Sequence, residues 1–279
     1  MTHPVIQHIL ARRGKHVPQN DGRTIGLVAY GGSMSGVIGG GAMIALEELG
    51  LSHAFDHIIC NSAGFANASY LLADSTHIGA TIYFEECASR KFINFFRFWN
   101  IVDIDFLIDV MRTKKILHVD RIASSETKLY VELHSTRTHK EQYLEVHTIP
   151  PDHYFEIMHA ATAIHYLHPG GSFINGIPYM DIRPYTRSKH IQQAQALGCT
   201  DILVIYNRID QQGRDVSPSE QIVEVLPDKD WQVKPYEQNP EILRAGYRNM
   251  GRRIKQIFGV DGGISFNMFT ENDIVDVQV

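Results

Sequence analysis

The sequence predicts an α/β fold in which a mostly parallel sheet lies between layers of helices. Short apolar runs of strand length alternate with longer segments in which apolar residues recur at helical spacing. Small residues stand at the junctions from strand to helix, which is typical of βα units. The chain has 279 residues, of which 44% are hydrophobic, and this length and content are sufficient to form one large hydrophobic core. We expect one three-layer domain with its functional site at the carboxyl ends of the strands.

Periodicity and turn residues place each element in order. Strands are expected near 25–30, 57–61, 128–133, 142–147, 172–175 and 202–206, and helices near 36–49, 63–74, 77–88, 152–161 and 185–197. A short strand IVEVLP follows at 222–227, then a helix at 240–259 that Pro240 opens and Gly259 stops. The last residues, 264–279, are compatible with a closing edge strand or a disordered end. We expect an N-terminal extension over 1–22, a main domain over 23–210, and C-terminal elements over 211–279 that pack on the same domain.

The first strand-turn-helix unit reads IGLVAYGGSMSGVIGGGAMIALEELG over residues 25–50. Gly31 and Gly32 allow the backbone to turn its N–H groups toward one point, which an oxyanion hole requires. We therefore expect the backbone of Gly31, Gly32, Ser33 and Met34 to supply N–H donors. A plain connection from strand to helix is the alternative for such a turn.

The second unit repeats this plan as IICNSAGFANASYLLA over residues 58–73. Ser62 lies where the strand must end and the helix must begin, in a C-x-S-x-G sequence that outlines a nucleophile elbow. The N-terminus of the following helix supplies partial positive charge for a developing oxyanion, and the N–H of Ala63 is a further candidate donor. A plain βα turn is again the alternative. The order and spacing of the two turns favour a shared site.

With these motifs the chain resembles the patatin-like phospholipase family. Gly31-Gly32-Ser33-Met34-Ser35-Gly36 is similar to that family's glycine turn, Ser62 matches its elbow serine, and HAATAIHYLHPG, FINGIPYMDIRP and AQALGCTDILVI follow in the family's order. The resemblance covers about residues 23–210. It implies a three-layer patatin-like sandwich and hydrolysis of lipid acyl esters through a serine acyl-enzyme, with a Ser-Asp dyad and no cofactor.

Several positions depart from the family's pattern. Its dyad aspartate falls on Asn175, its turn arginine on Ser35, its third glycine on Ser33 and its first elbow glycine on Cys60. An amide accepts a hydrogen bond from Ser62 but does not take its proton. Either Asp181 or His165 is then a candidate substitute base.

Three interpretations of Asn175 stay open at this point. The protein is a weak or substrate-restricted acyl hydrolase that recruits another base, or it is a catalytically impaired module that binds lipid or a partner. In the third, the functioning protein has aspartate at position 175, because Asn-Gly pairs deamidate and Asp-to-Asn is a common inactivating change. The match of FINGIPYMD to the family's aspartate segment predicts that Asn175→Asp raises ester hydrolysis by at least about a hundredfold.

The charge and residue composition of the chain limit the kinds of partner and cofactor that we expect. A net charge of −5 and a pI near 6.3 give no basic footprint for nucleic acid. The three cysteines lack metal-ligand spacing, and the fifteen histidines include no helical pair four residues apart, so we expect no metal and no cofactor. No long apolar segment predicts a membrane span. We expect a cytoplasmic protein, in peripheral contact with a membrane at most, that acts on a lipid or acyl ester; the sequence leaves its oligomeric state open.

An aromatic segment follows the elbow helix. RKFINFFRFWNIVDIDFLIDVM, residues 90–111, has five aromatic rings within eight positions, interleaved with basic residues. Such a mixture suits a lid or an interfacial surface. Core packing of a long crossover connection is the preferred interpretation for most of these rings, because exposed aromatic clusters are costly unless they are used.

Overall fold

The computed structural model describes residues 3–182, 189–212 and 219–259. Within them, eight strands form one sheet in the order β5-β6-β3-β2-β1-β7-β8, with β4 paired to β3. The strands are β1 Ile25–Ala29, β2 His57–Cys60, β3 Lys128–Ser135, β4 Lys140–Glu145, β5 Ser172–Ile174, β6 Ile177–Met180, β7 Asp201–Ile205 and β8 Ile222–Val225.

The centre of this sheet is parallel and its β5 side is antiparallel. Strands β3, β2, β1, β7 and β8 pair in parallel, whereas β4 and β6 run antiparallel to β3 and β5 runs antiparallel to β6. All five residues of β1 and of β7 are buried, because helices cover both faces of these strands. The carboxyl ends of β1 and β2 therefore meet at one edge of the sheet, where the two glycine-containing turns begin.

The helices of the described residues form two layers. They are α1 Pro4–Ala11, α2 Gly36–Glu48, α3 Ala63–Leu72, α4 Thr76–Glu85, α5 Ile104–Thr113, α6 Val119–Ala123, α7 Tyr154–Thr162, α8 His190–Ala196 and α9 Pro240–Ile257. Helix α8 packs its Ile191 and Ala194 against Val28, Ile59 and Val204 on one face of the sheet. Residues of the other helices join the larger core on the opposite face. The predicted three-layer α/β class, mostly parallel with flanking helices, is confirmed.

The seven predicted strands, the helices expected before residue 162 and the helix expected over 240–259 agree with the structure to within a few residues. The structure adds β6, α1, α5 and α6, which the patterns did not indicate. Strand β6 contains Pro178 and has only four residues, so its apolar alternation is too short to stand out. Part of the helix expected over 185–197 and all of the tail over 264–279 lie outside the described residues.

Both ends of the described chain pack onto the central layers. Arg12, 1% exposed, follows α1 and forms ion pairs with Asp21 at 2.8 Å and Asp56 at 2.6 Å. Helix α9 lies against α2, and its tight contact explains Gly41, where a Cβ would lie 2.1 Å from the carbonyl oxygen of Tyr247. Across the described ranges, no helix is long and apolar enough to span a bilayer.

Candidate active site

Ser62 occupies a strained turn between β2 and α3. Its backbone has φ 48° and ψ −130°, a combination that a residue with a side chain seldom adopts. The turn is this sharp because α3 begins immediately and its first turn presses on β1: a Cβ at Gly64 would lie 2.2 Å from the carbonyl oxygen of Ala29. The Ser62 side chain is thereby held out of the sheet. These features are those of the predicted nucleophile elbow.

The glycine turn after β1 lies directly against Ser62. A Cβ at Gly31 would lie only 2.6 Å from the Cβ of Ser62, so a side chain at this position has no room. Gly32 has φ 152° and Ser33 has φ 53°, which turns successive peptide groups toward the serine. The two turns that the sequence placed in one site therefore do face each other.

Two of the five expected oxyanion donors are already engaged. The N–H of Gly31 donates to Oδ1 of Asn61 at 3.0 Å, and the N–H of Met34 donates to the carbonyl oxygen of Pro235 at 3.0 Å. Assigning these two groups to the oxyanion hole is wrong, because a donor with a protein acceptor does not meet a developing charge. The N–H groups of the other three, Gly32, Ser33 and Ala63, contact no acceptor within the described part of the chain.

Side chains from distant segments hold the glycine turn in place. Nδ2 of Asn207 and Nε2 of Gln211 donate to the carbonyl oxygen of Gly31 at 2.9 and 2.7 Å. Ser35, which stands where the family has arginine, donates its hydroxyl to the carbonyl oxygen of Gly32 at 2.7 Å. Both amides follow β7 in a polar stretch that begins NRIDQQG, in which the sequence shows no functional motif. The one signal in the sequence is the placement of Asn207 two residues after the end of the buried strand β7.

A buried histidine supports the Asn61 end of the same turn. Nε2 of His190 lies 2.9 Å from Oδ1 of Asn61, and its Nδ1 lies 2.8 Å from the hydroxyl of Tyr143. Burial lowers the pKa of His190 to about 3, so the ring is neutral at physiological pH. A neutral ring that donates from Nε2 and accepts at Nδ1 satisfies both neighbours and leaves the Asn61 oxygen fixed against Gly31.

Asp181 is the carboxylate that the structure brings to Ser62. It directly follows β6, is 6% exposed, and its backbone N–H donates to the carbonyl oxygen of Ala163 at 3.3 Å. Burial raises the pKa of Asp181 to about 7, against the lowering effect of hydrogen bonding from the Ser62 hydroxyl and from the Ile182 N–H at 2.8 Å. The negative charge of nearby Glu132 adds to the rise. A carboxylate with such a pKa is suited to proton transfer near neutrality.

Asn175 lies away from this centre. It and Gly176 form the tight turn between β5 and β6, with φ 50° and 73°, and both are exposed. The assignment of Asn175 to the dyad position therefore fails on geometry, because the hairpin carries it to its tip while Asp181, six residues later, returns to Ser62. Asn-Gly between apolar residues is a strong hairpin signal, and this pair forms the turn of such a hairpin. The structure places His165, the other substitute base considered, against the ring of His134, with centroids 5.1 Å apart.

An apolar cavity opens beside Ser62. It holds about 560 Å³ of space, including its solvent-open mouth, and Ser62 and Ala63 form part of its wall. Its deeper lining is contributed by apolar side chains of α4, α5 and the connection between them, among them Ile82, Phe92, Ile104, Leu107 and Met111. A cavity of this lining accepts a hydrocarbon group and offers few partners to a polar one.

The aromatic segment divides into one buried ring and four exposed ones. Phe92 is 6% exposed and lines the cavity, whereas the others are 57–83% exposed. We call these four the aromatic surface: Phe95, Phe96, Phe98 and Trp99. The preferred interpretation of these rings as core is therefore wrong for all but Phe92. The backbone here is firmly held, since the Arg97 guanidinium donates to Asp103 at 2.8 Å and to the carbonyl oxygen of Phe92 at 2.9 Å.

Comparison with known proteins identifies the fold. No protein-family model matches the chain, and no curated protein matches it in sequence. Among solved structures, VipD from Legionella pneumophila superposes with a TM-score of 0.53 at 11% identity, over 85% of this chain and 67% of VipD. The ExoU-SpcU complex from the type III secretion system of Pseudomonas aeruginosa gives a TM-score of 0.38 at 15% identity, over 85% and 51%. The chain thus shares with VipD a three-layer patatin-like α/β fold.

Proposed function

We propose that this protein is a lipid acyl hydrolase that cleaves carboxylic esters through a serine acyl-enzyme. The observation that supports the proposal most strongly is the buried Asp181 carboxylate at the Ser62 hydroxyl. The strained serine turn adds to it the backbone N–H groups of Gly32, Ser33 and Ala63, which meet no acceptor among the described residues. A nucleophile, a base of suitable pKa and an oxyanion site are the parts that acyl transfer requires.

The proposed reaction has two halves. In the first, the Ser62 proton moves to the Asp181 carboxylate as Oγ bonds to the ester carbonyl carbon, and the oxyanion accepts hydrogen bonds from Gly32, Ser33 and Ala63. Breakage of the ester C–O bond then releases the alcohol, which takes the proton from Asp181. In the second half, Asp181 removes a proton from water, the resulting hydroxyl attacks the acyl-enzyme, and Ser62 leaves with the proton.

The cavity suggests the substrate class. Its apolar walls begin at the serine and extend between α4 and α5, so the acyl group of an ester occupies it while the alcohol portion faces solvent. The rival proposal of a catalytically impaired binding module depended on Asn175 as the dyad residue. With Asp181 beside Ser62, that reason no longer applies. We propose a cytoplasmic location, because Cys60, Cys87 and Cys199 are all free and buried.

Covalent labelling tests this function. Incubation with an alkyl fluorophosphonate is expected to add one phosphonyl group to the protein, and peptide mass spectrometry is expected to locate it on Ser62, because only an activated serine reacts in this way. Turnover of a long-chain acyl ester by the same preparation completes the test. Labelling of another serine alone, or no labelling of folded protein that still binds the ester, contradicts the hydrolase and supports the binding module.

We further propose that the aromatic surface binds a membrane. Monomeric soluble proteins seldom expose contiguous large apolar side chains unless they are used. Arg90 and Lys91, the first two residues of the aromatic segment, are exposed, and basic residues beside aromatic rings suit an anionic bilayer surface. Phe92 of the same segment lines the cavity, so contact with the bilayer brings an acyl chain close to its entrance.

Phe96→Ser combined with Trp99→Ser is expected to weaken binding to anionic phospholipid vesicles by at least ~10-fold, because two exposed rings no longer enter the interface. Hydrolysis of a small soluble ester is expected to stay at the wild-type level. Vesicle co-sedimentation and the two ester assays measure this. Trp231→Ser, which removes an aromatic ring 46% exposed beside α9, is the matched control and is expected to bind as wild type. Equal binding by the double variant, or a matched fall in melting temperature and in both activities, refutes the membrane proposal.

A further inference from the structure

Two histidines and one aspartate meet outside the Ser62 centre. Asp105 lies in the first turn of α5, His159 lies near the end of α7, and His168 lies in the segment that follows α7. One side-chain ligand atom from each of the three lies within 4.8 Å of those of the other two. Nε2 of His159 is 3.4 Å from Oδ1 of Asp105, and the two imidazole rings have centroids 5.0 Å apart.

Each of the two imidazole rings is oriented by a contact at its Nδ1 atom. Nδ1 of His159 lies 3.0 Å from the hydroxyl of Ser172, and Nδ1 of His168 lies 3.2 Å from the carbonyl oxygen of Val102. A carbonyl oxygen only accepts, so Nδ1 of His168 has the proton and Nε2 has the lone pair. Metal-binding histidines typically use one ring nitrogen for the metal while the other donates to a carbonyl or hydroxyl oxygen.

We propose that Asp105, His159 and His168 bind one divalent transition-metal ion, for which Zn²⁺ is the best fit. Imidazole nitrogen together with a carboxylate is a donor set for zinc, whereas Mg²⁺ and Ca²⁺ take oxygen ligands. Zinc bonds of about 2.0–2.2 Å to tetrahedral ligands separate neighbouring ligand atoms by about 3.4 Å. The distance between His159 and Asp105 agrees with that edge and is long for a hydrogen bond. The Asp105 side chain is 79% exposed, so solvent can complete the coordination.

The three ligands come from elements that border the cavity. Asp105 lies between Ile104 and Leu107, which line it. Nδ1 of His168 also lies 3.1 Å from Oδ1 of Asn100, the residue that directly follows Trp99 of the aromatic surface. A bound ion therefore links α5 to α7 and, through His168, to Asn100 next to the aromatic surface. We assign it a structural role beside the cavity, independent of the proposed ester hydrolysis.

The spacing argument against a metal missed this arrangement. A zinc-binding helical pair has two histidines four residues apart. Here the two histidines are nine residues apart in sequence, and the aspartate comes from another helix. An ordinary ion pair between His159 and Asp105 is the competing explanation. It accounts for one contact but not for the second imidazole oriented by Val102.

Isothermal titration of the chelator-treated full-length protein with zinc chloride tests the site. We expect saturable binding of one ion per chain and a rise in melting temperature on zinc addition, since a ligand that binds the folded state stabilises it. His168→Gln is expected to weaken zinc binding by at least ~100-fold, and Ser172→Ala by about 10–100-fold through its outer hydrogen bond. His153→Gln is the matched control: His153 directly precedes the first residue of α7 and pairs with exposed Glu156, and its variant is expected to bind zinc as wild type.

Cobalt substitution gives a second measurement. Co²⁺ added to the chelator-treated protein is expected to produce visible absorption bands of a low-coordinate site, and these are expected to be absent from His168→Gln. Melting curves in chelator establish that this variant is folded. No saturable zinc binding by wild type, or equal affinities of wild type and folded His168→Gln, overturns the proposal, as does a His153→Gln variant that loses binding equally.

Discussion

Asp181→Asn is expected to lower kcat/KM for a short soluble ester by at least about 10²-fold, the lower range for a positioned general base. The amide keeps the shape of the carboxylate and continues to accept from the Ile182 N–H, but it does not take the Ser62 proton. A chromogenic short-chain ester avoids any contribution from membrane binding, so the loss reports on chemistry. Initial rates at several substrate concentrations separate kcat from KM.

Asn175→Asp is the matched control for this change. It places a carboxylate six residues earlier, at the exposed tip of the β5–β6 hairpin, and is expected to leave kcat/KM unchanged. If Asn175 were the dyad residue, as the family resemblance implies, the same change would raise kcat/KM by at least about a hundredfold. Activation by Asn175→Asp together with full activity of Asp181→Asn therefore contradicts the dyad that we propose.

The pKa of Asp181 also predicts how activity depends on pH. A base is active when it is deprotonated, so kcat/KM of the wild type is expected to rise with pH and to level off above about 7. Stability has the opposite trend: because the folded-state pKa lies above the usual 3.8, the contribution of this group to folding decreases as pH rises from about 4 to about 7. Asp181→Asn is therefore expected to gain melting temperature relative to wild type between those pH values. A constant difference across that range contradicts the raised pKa.

Ser62→Ala is expected to abolish ester hydrolysis and fluorophosphonate labelling while leaving the free energy of unfolding nearly unchanged. The nucleophile is lost, but alanine occupies the same backbone conformation and has a Cβ in the same place. Hydrolysis at more than background rates by this variant excludes Ser62 as nucleophile.

Ser62→Gly is expected to be equally inactive but more stable than Ser62→Ala, by about 1 kcal/mol. A residue with a side chain at φ 48° and ψ −130° is strained by about 1–3 kcal/mol, and glycine relieves that strain at an entropic cost of about 0.5–1 kcal/mol. Urea denaturation of both variants measures the difference. Equal or lower stability of the glycine variant shows that the turn around Ser62 is not strained.

The sequence alone determined the order of elements and the position of Ser62. The central strands are buried on both faces, so they read as continuous apolar runs, and Gly31, Gly32 and Gly64 mark turns that only small residues permit. Both signals are local: each depends on residues within one strand, one turn and the start of one helix. For the same reason β6, with four residues and a proline, was not predicted.

Only the tertiary structure decided which groups act with Ser62. Asn175 and Asp181 are six residues apart, and the choice between them depends on the register of the hairpin, which carries one to its tip and the other back to the serine. The engagement of the Gly31 N–H by Asn61 and the gathering of Asp105 with His159 and His168 depend likewise on contacts between distant segments. The exposure of the aromatic surface also depends on the tertiary structure, because the same aromatic sequence can pack into a core or face solvent. Local pattern therefore specified the turns, and packing across the sheet edge specified their chemical partners.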